Sequence, residues 1–318
     1  MKHLISPHVA HLFRTLLIIV VSVIHGAGGF AQAVPDPKEI YLISDVQEPM
    51  RVEKWVGKPY RNEEATDSLY ADMVRLKPRQ VFLLGDLASA GSNNRAWAPL
   101  DRFLNALHRA GAQVHAIPGN HEYMGEKEGM RNFTRRFGEK SLHGYCVRVD
   151  SMVLVMLNSN FKKLRPEEVS KQLVWYNTVM DSLEDDRVTR AIIVCTHHAP
   201  FSNSRVVGSS APVAGLIVPG FEKSKKTVLL ISGHSHNLEY FARPRGKHFL
   251  VIGGGGGIAQ PLLAMDKRVH HDLLGQEVKP LYFYLVMKRK ENSLELVARG
   301  FKRDFRFFEL EIATLTLN

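Results

Sequence analysis

The chain alternates strand-length apolar runs with longer amphipathic stretches, and the two patterns predict different elements. Glu39 to Ser44 (EIYLIS), Gln80 to Leu84 and Gln113 to Ile117 are short apolar runs closed by polar or glycine positions, as strands are. Helical spacing fills the gaps between them. Over Glu63 to Leu76, Ala65, Leu69, Met73 and Leu76 share one face, and Pro78 stops the run. Over Pro99 to Ala110, Leu100, Phe103, Leu104 and Leu107 recur at core spacing before Gly111. Strand–helix–strand repetition predicts βαβ units with parallel strands, whose functional loops gather at the carboxyl ends of the strands.

The second half has a different rhythm. Tyr145 to Asn158 reads as a hairpin turning near Asp150-Ser151. Pro166 to Leu183 is helical, with Pro166 in the tolerated first turn. Ala191 to Thr196, Thr227 to Ser232 and His248 to Ile252 are strands. Leu281 to Lys288 and Leu294 to Phe301 form a hairpin around Glu291-Asn292, and Phe305 to Leu317 is strand-like. No repeat and no internal boundary interrupts the pattern. The expected architecture is α/β: two packed sheets with helices outside, as one domain over residues 34–318.

The first 33 residues follow another logic. Lys2 and Arg14 precede an uncharged run from Leu16 to Ile24, and small residues lead to Ala31-Gln32-Ala33. Basic start, apolar middle and A-x-A end mark an export signal. The apolar middle is shorter than the about 20 residues a membrane span needs. The mature protein is expected to be secreted or periplasmic, with Val34 to Lys38 as a linker. An uncleaved anchor is the alternative.

Composition narrows the class. Apolar residues make up 45% of the chain, enough for a core and too many for disorder. The net charge is +10, two charges of which lie in the leader. A basic excess serves a solvated face or attracts phosphate esters, lipid head groups or nucleic acid. No dense Lys/Arg run with interleaved aromatics occurs, so nothing supports a nucleic-acid groove. Cys146 and Cys195 each sit in a strand-like run and read as two buried thiols rather than a disulfide.

Candidate chemistry collects at the strand ends. Asp45, Asp86, Asn120-His121, His197-His198 and His234-Ser235-His236 each follow an apolar run. A lone strand-end aspartate is usually a turn former. A series of carboxylates, an amide and imidazoles at such ends instead suggests a two-metal hydrolytic centre. Mixed oxygen and imidazole donors suit Zn, Fe or Mn. A carboxylate can bridge two cations, and the Asn120 oxygen adds a neutral ligand. Of the His197-His198 pair, one ligates and the other faces substrate or packs; His197, nearer the strand end, is the preferred ligand. The run Gly253 to Gly257 is either a backbone anion site or a flexible connector.

Asp45-x-Gln47, Gly85-Asp86, Gly119-Asn120-His121-Glu122, His197-His198 and Gly233-His234-Ser235-His236 resemble the ordered motifs of the calcineurin-like metallophosphoesterases, over about Ile40 to Gly257. The resemblance implies a four-layer αββα sandwich of two mixed β-sheets flanked by helices, whose two divalent or mixed-valence ions (Mn, Fe or Zn) hydrolyse phosphomonoesters or phosphodiesters through a metal-bridging hydroxide. It assigns Asp45, Asp86 and His236 to one metal, with Gln47 beside it. It assigns Asp86, Asn120, His197 and His234 to the other, and makes His121 the catalytic histidine. Two departures stand out. The family pattern Asp-x-His is Asp-x-Gln here, which leaves a weaker ligand or a water. The tyrosine of purple acid phosphatases, three residues after the Gly-Asp aspartate, is Ser89, so no purple iron site is expected. The expected partner is a small phosphorylated substrate, not nucleic acid, with the chain acting as a monomer and a membrane-surface association left open. A metal-binding protein with a decayed site, or an envelope enzyme acting on phospholipid or lipid pyrophosphate, is the alternative.

Overall fold

Successive residues of a strand point to opposite faces, and in the inner strands both faces are buried, so such a strand feeds two cores. In β1 (Glu39–Ile43), Ile40 and Leu42 enter one core while Tyr41 and Ile43 enter another. β2 (Gln80–Leu83) and β3 (Gln113–Ala116) pair parallel to it, in the order β1-β2-β3. The computed structural model describes residues 39–50, 53, 60–275 and 277–317. The leader, the linker and most of the Gln47 to Arg61 loop, including Arg51, lie outside the described residues.

Two six-stranded sheets result. The first runs β12-β11-β10-β1-β2-β3, where β10 (Tyr282–Lys290), β11 (Ser293–Phe301) and β12 (Phe308–Thr316) form an antiparallel meander on β1. The second runs β4-β5-β6-β7-β9-β8. Its strands are β4 (Tyr145–Val149), β5 (Met152–Met156), β6 (Ala191–Cys195), β7 (Thr227–Ser232), β8 (Leu238–Arg243) and β9 (Lys247–Ile252). β5, β6, β7 and β9 are parallel, while β4 and β8 are antiparallel edges.

The cores follow from the alternation. Ile40, Leu42, Phe82 and Leu84 meet Met152, Leu154, Ile193 and Leu250 between the sheets. On the outer face of the first sheet, Tyr41, Ile43 and Val81 pack under α1 (Asn62–Leu76) and α2 (Ala98–Arg109) through Leu69, Met73, Phe103 and Leu107. α3 (Glu126–Phe137) adds Phe133 there. On the outer face of the second sheet, Val153, Val155 and Val194 pack under α4 (Pro166–Asp185), with α5 (Ala211–Leu216) and α6 (Val218–Lys223) closing the layer. The order helix, sheet, sheet, helix is the expected four-layer sandwich. Among the described residues, no helix is long and apolar enough to cross a membrane.

Both cysteines are free, but only Cys195 is buried. Cys146 lies exposed on β4, because Tyr145, Val147 and Val149 take the core face and Cys146 alternates to the opposite one; the expectation of two buried thiols is corrected to one.

Candidate metal centre

Parallel strands of both sheets end along one seam. Asp45 follows β1, Asp86 follows β2, and Asn120 and His121 follow β3; His197 and His198 follow β6, and His234 and His236 follow β7. Asp45 (φ 60°), Asp86 (φ 52°) and His234 (φ 65°) have left-handed backbone, so the chain turns sharply just where each side chain is needed. Hydrogen bonds join neighbouring ends. Asp45 N–H donates to the Gly85 carbonyl at 3.1 Å, and Gly233 N–H to the His197 carbonyl at 2.9 Å. His234 N–H donates to both carboxylate oxygens of Asp45, at 3.0 and 2.9 Å, which ties one sheet to the other.

The seam is packed too closely for larger residues. Gly85 (φ +90°) has no room for a Cβ, which would lie 2.5 Å from the Gly119 nitrogen. A Cβ on Gly233 would sit 2.0 Å from Ser44 Oγ and 2.4 Å from an Asp45 carboxylate oxygen. Gly233→Ala is expected to cost about 1–3 kcal/mol through this overlap. It should also weaken metal uptake, because Asp45 must shift. Thermal melting and metal content after dialysis check both; an unchanged melting temperature with full metal content would show that the loop yields freely.

The geometry brings every sequence-predicted site residue together. Asp45, Asp86 and His197 present ligand atoms within 4.8 Å of one another, as do His197, His198 and His234. Asn120 Oδ1 is 3.2 Å from His197 Nε2, and Gln47 Nε2 is 3.3 Å from His236 Nε2. His121 stands slightly back, with Nε2 3.8 Å from Asp86 Oδ2. Its Nδ1–H donates to the Ser89 carbonyl at 2.8 Å, so the backbone at the position of the missing tyrosine orients this ring.

The donor set fits cations. His197 Nδ1–H donates to the Leu84 carbonyl and His236 Nδ1–H to the Ile258 carbonyl, both at 2.8 Å. Each neutral imidazole therefore turns the lone pair of Nε2 inward. Those Nε2 atoms lie 3.3 Å from Asp86 Oδ2 and 3.5 Å from Asp45 Oδ1, lone pair facing lone pair. A positive charge must occupy such a gap, as a proton or as a metal ion. In the metal-free chain the proton does so. Burial opposes it at His197, but the charge and hydrogen bond of Asp86, with the Asp45 charge and the Leu84 carbonyl, together outweigh burial and push the imidazole up to about 9. His236 is raised as well: burial opposes, and the hydrogen bond and charge of Asp45 prevail. His234 goes the other way, held down by burial and by the neighbouring His197 charge. Among the described residues Gln47 Oε1 is buried without a hydrogen-bond partner, an arrangement that costs about 1–3 kcal/mol unless something electropositive approaches it.

Glu122 supports the carboxylate end. It accepts backbone N–H groups from Asp86 (2.9 Å), Leu87 (2.8 Å), Ala88 (3.3 Å) and Gly119 (2.7 Å). One buried carboxylate thus pins the ends of β2 and β3 together. Burial and the Asp86 charge push its carboxyl up to about 6. His121 N–H completes the frame by donating to Asp86 Oδ1 at 2.9 Å.

The calcineurin-like phosphoesterase family matches residues 38–238. The chain belongs to that family. Among curated proteins, it is 24% identical over 219 residues to the uncharacterized protein YvnB of Bacillus subtilis (strain 168), covering 64% of this chain and 16% of YvnB. Among solved structures it is similar to the purple acid phosphatase PPD1 of yellow lupin (Lupinus luteus), with a TM-score of 0.65 and 15% identity over 88% of this chain and 53% of that one. A dimetal phosphatase from Danio rerio gives a TM-score of 0.56 at 15% identity, covering 89% of this chain and 100% of that one. GAP50 of Plasmodium gives 0.59 at 12% identity, covering 88% of each. At these identities the structural likeness establishes the fold. As a member of that family the chain carries buried Asp and His groups whose spacing could hold metal ions.

Three features escaped the sequence reading. Glu122 was part of a quoted motif but had no role, because its job is defined by N–H groups elsewhere in the chain. Asn158-Ser159-Asn160 follows β5 at the same seam, and the strand-end rule applied to it would have marked it. Ser159 Oγ accepts N–H from His197 (3.1 Å) and His198 (3.0 Å), and Asn160 Nδ2 donates to the Pro118 carbonyl (3.0 Å). The glycine run is a third case. Gly253, Gly255 and Gly257 give their N–H groups to the carbonyls of Asn237, Ser44 and Asp45. Through these bonds the run braces the sheet ends and is not a loose connector.

Proposed function

We propose that this chain is an exported, monomeric two-metal phosphoesterase acting on small phosphorylated substrates. The observation that carries the reading is the pair of buried aspartates faced by inward-turned imidazole lone pairs. Asp45, Gln47, Asp86 and His236 would hold one ion; Asp86, Asn120, His197 and His234 would hold the other. Mn, Fe and Zn all suit this mixed donor set. Two bound cations supply Lewis acidity and an acidified water at neutral pH. The protein's own part is to hold the phosphoryl group between the two strand-end clusters and to manage protons beside it. His121 is placed for the latter: its Nδ1–H is spent on Ser89, which leaves Nε2 to exchange a proton with the leaving oxygen.

The test is metal analysis together with turnover of p-nitrophenyl phosphate and bis-p-nitrophenyl phosphate, on protein reconstituted in turn with Mn, Zn and Fe. We expect two ions per chain and turnover of at least one substrate. Bound metal without turnover of either would support a decayed, purely binding site instead. N-terminal sequencing of the exported product should find cleavage after Ala33.

One observation favours the amphiphile variant of this reading. Val206, Met265, Val269 and Leu273 are exposed, Val269 by 76%, on two segments tied together beside the metal loop. Asn203 Nδ2 donates to the His270 carbonyl, Arg205 N–H to the Pro261 carbonyl, and Gln260 N–H to the His236 carbonyl. Activity confined to micellar phospholipid or lipid pyrophosphate would select it over water-soluble esters.

A further inference from the structure

We infer that His198 is a substrate-binding residue, a neutral imidazole that Ser159 locks with its proton on Nε2, so that it donates to a phosphoryl oxygen bound beside His234. The inference rests on the phosphoesterase reading of the same site and adds a residue to it.

Ser159 carries the argument. Its hydroxyl is buried, at 4% exposure. Its oxygen already accepts two backbone N–H groups, from His197 and from His198. A hydroxyl has one proton and two lone pairs, so both lone pairs are taken and the proton must go elsewhere. The acceptor within reach is His198 Nδ1, 2.9 Å away. His198 Nδ1 is therefore the unprotonated nitrogen, and Nε2 carries the hydrogen. The opposite tautomer would place three donors on one oxygen and strand a buried hydroxyl proton.

The tautomer decides the role. His198, His197 and His234 bring ring nitrogens within 4.8 Å of one another, which by distance alone makes a three-histidine metal group. A ligating imidazole needs a free lone pair. His197 has one at Nε2, because its Nδ1–H is given to the Leu84 carbonyl. His198 has none: Nδ1 is occupied by Ser159 and Nε2 bears a proton. Its ring packs against that of His234 at 4.5 Å between centroids and edge-on to His197 at 5.0 Å. Unlike His197, His198 is not fully buried. A fixed N–H donor beside a candidate cation site suits the oxygens of a phosphoryl group, and such preorganised donors contribute without reorganising. Ser159 is the positioning residue behind it.

Four measurements test this. In metal-free wild-type protein, 15N NMR of the His198 ring should show a pyrrole-type nitrogen at Nε2 and a pyridine-type nitrogen at Nδ1; the reverse assignment overturns the inference. In zinc-loaded protein, calorimetry with inorganic phosphate should show about tenfold or greater loss of affinity in His198→Ala with zinc content unchanged, as expected for one lost hydrogen bond to an anion. His198→Gln, which returns an N–H donor near the same place, should recover most of that loss. Ser159→Ala should mix the tautomers and give an intermediate affinity. Zinc lost in His198→Ala, phosphate affinity unaffected by it, no rescue by glutamine, or no phosphate bound by the wild type would each overturn the proposal. Failure of the phosphoesterase reading is separate: phosphate bound as described, with neither nitrophenyl ester hydrolysed, leaves His198 as an anion-binding residue of a non-hydrolytic site.

Discussion

Asp86→Asn is expected to strip the protein of bound metal and to lower turnover by at least ~10³-fold, beyond the ~10²–10³ that follows removal of one preorganised donor. Asp86 is the carboxylate that faces both halves of the site. Its Oδ2 lies 3.3 Å from His197 Nε2 and 3.8 Å from His121 Nε2. Its carboxyl is held well below the usual range: burial works against the charge, and the His197 and His121 imidazoles overcome it. Asparagine keeps the volume and still offers Oδ1 to the His121 N–H. The metal-free fold should therefore survive, with a melting temperature close to that of metal-free wild type. Metal content by mass spectrometry and steady-state turnover, read beside that melting curve, separate a site effect from a folding effect. Two ions retained with near wild-type rate would remove Asp86 from the centre.

His121→Ala should leave metal content intact and reduce turnover by about 10²–10⁴-fold, the range of a lost general acid or base. The ring is oriented by the Ser89 carbonyl and belongs to neither tight ligand group. If metal and activity fall together, His121 is a ligand and the proton-transfer role passes elsewhere. Substrates with better leaving groups need less protonation, so the deficit should shrink for p-nitrophenyl esters relative to alkyl esters.

Much of this was legible in the chain because the apolar runs are long enough to bury both faces and their ends carry unusual side chains. EIYLIS, ending at Asp45, already contains the two-core alternation that the cores display. Other elements had weaker signals. α3 reads EKEGMRNFTRRF, with a glycine in its middle and a stripe of three apolar residues, Met130, Phe133 and Phe137, among many charges, so its signal is thin. β8 follows the His234–His236 turn without a gap and ends in exposed Ala242 and Arg243, so it passes for loop. Positions whose work is done for another part of the chain were the hardest to see. Glu122 holds backbone amides of residues 86–88 and 119, and Ser159 sets the proton of a ring thirty-nine positions away. Local pattern cannot show a partner that only folding supplies.

The carboxylates ride on one sheet and the imidazoles of residues 197, 234 and 236 on the other. Neither layer alone owns a complete grip on an ion. A nascent chain with one layer formed and the other still loose thus offers hard oxygens or soft nitrogens, but not the mixed cage. The mixed donor set of the proposed centre would be assembled only when the layers dock.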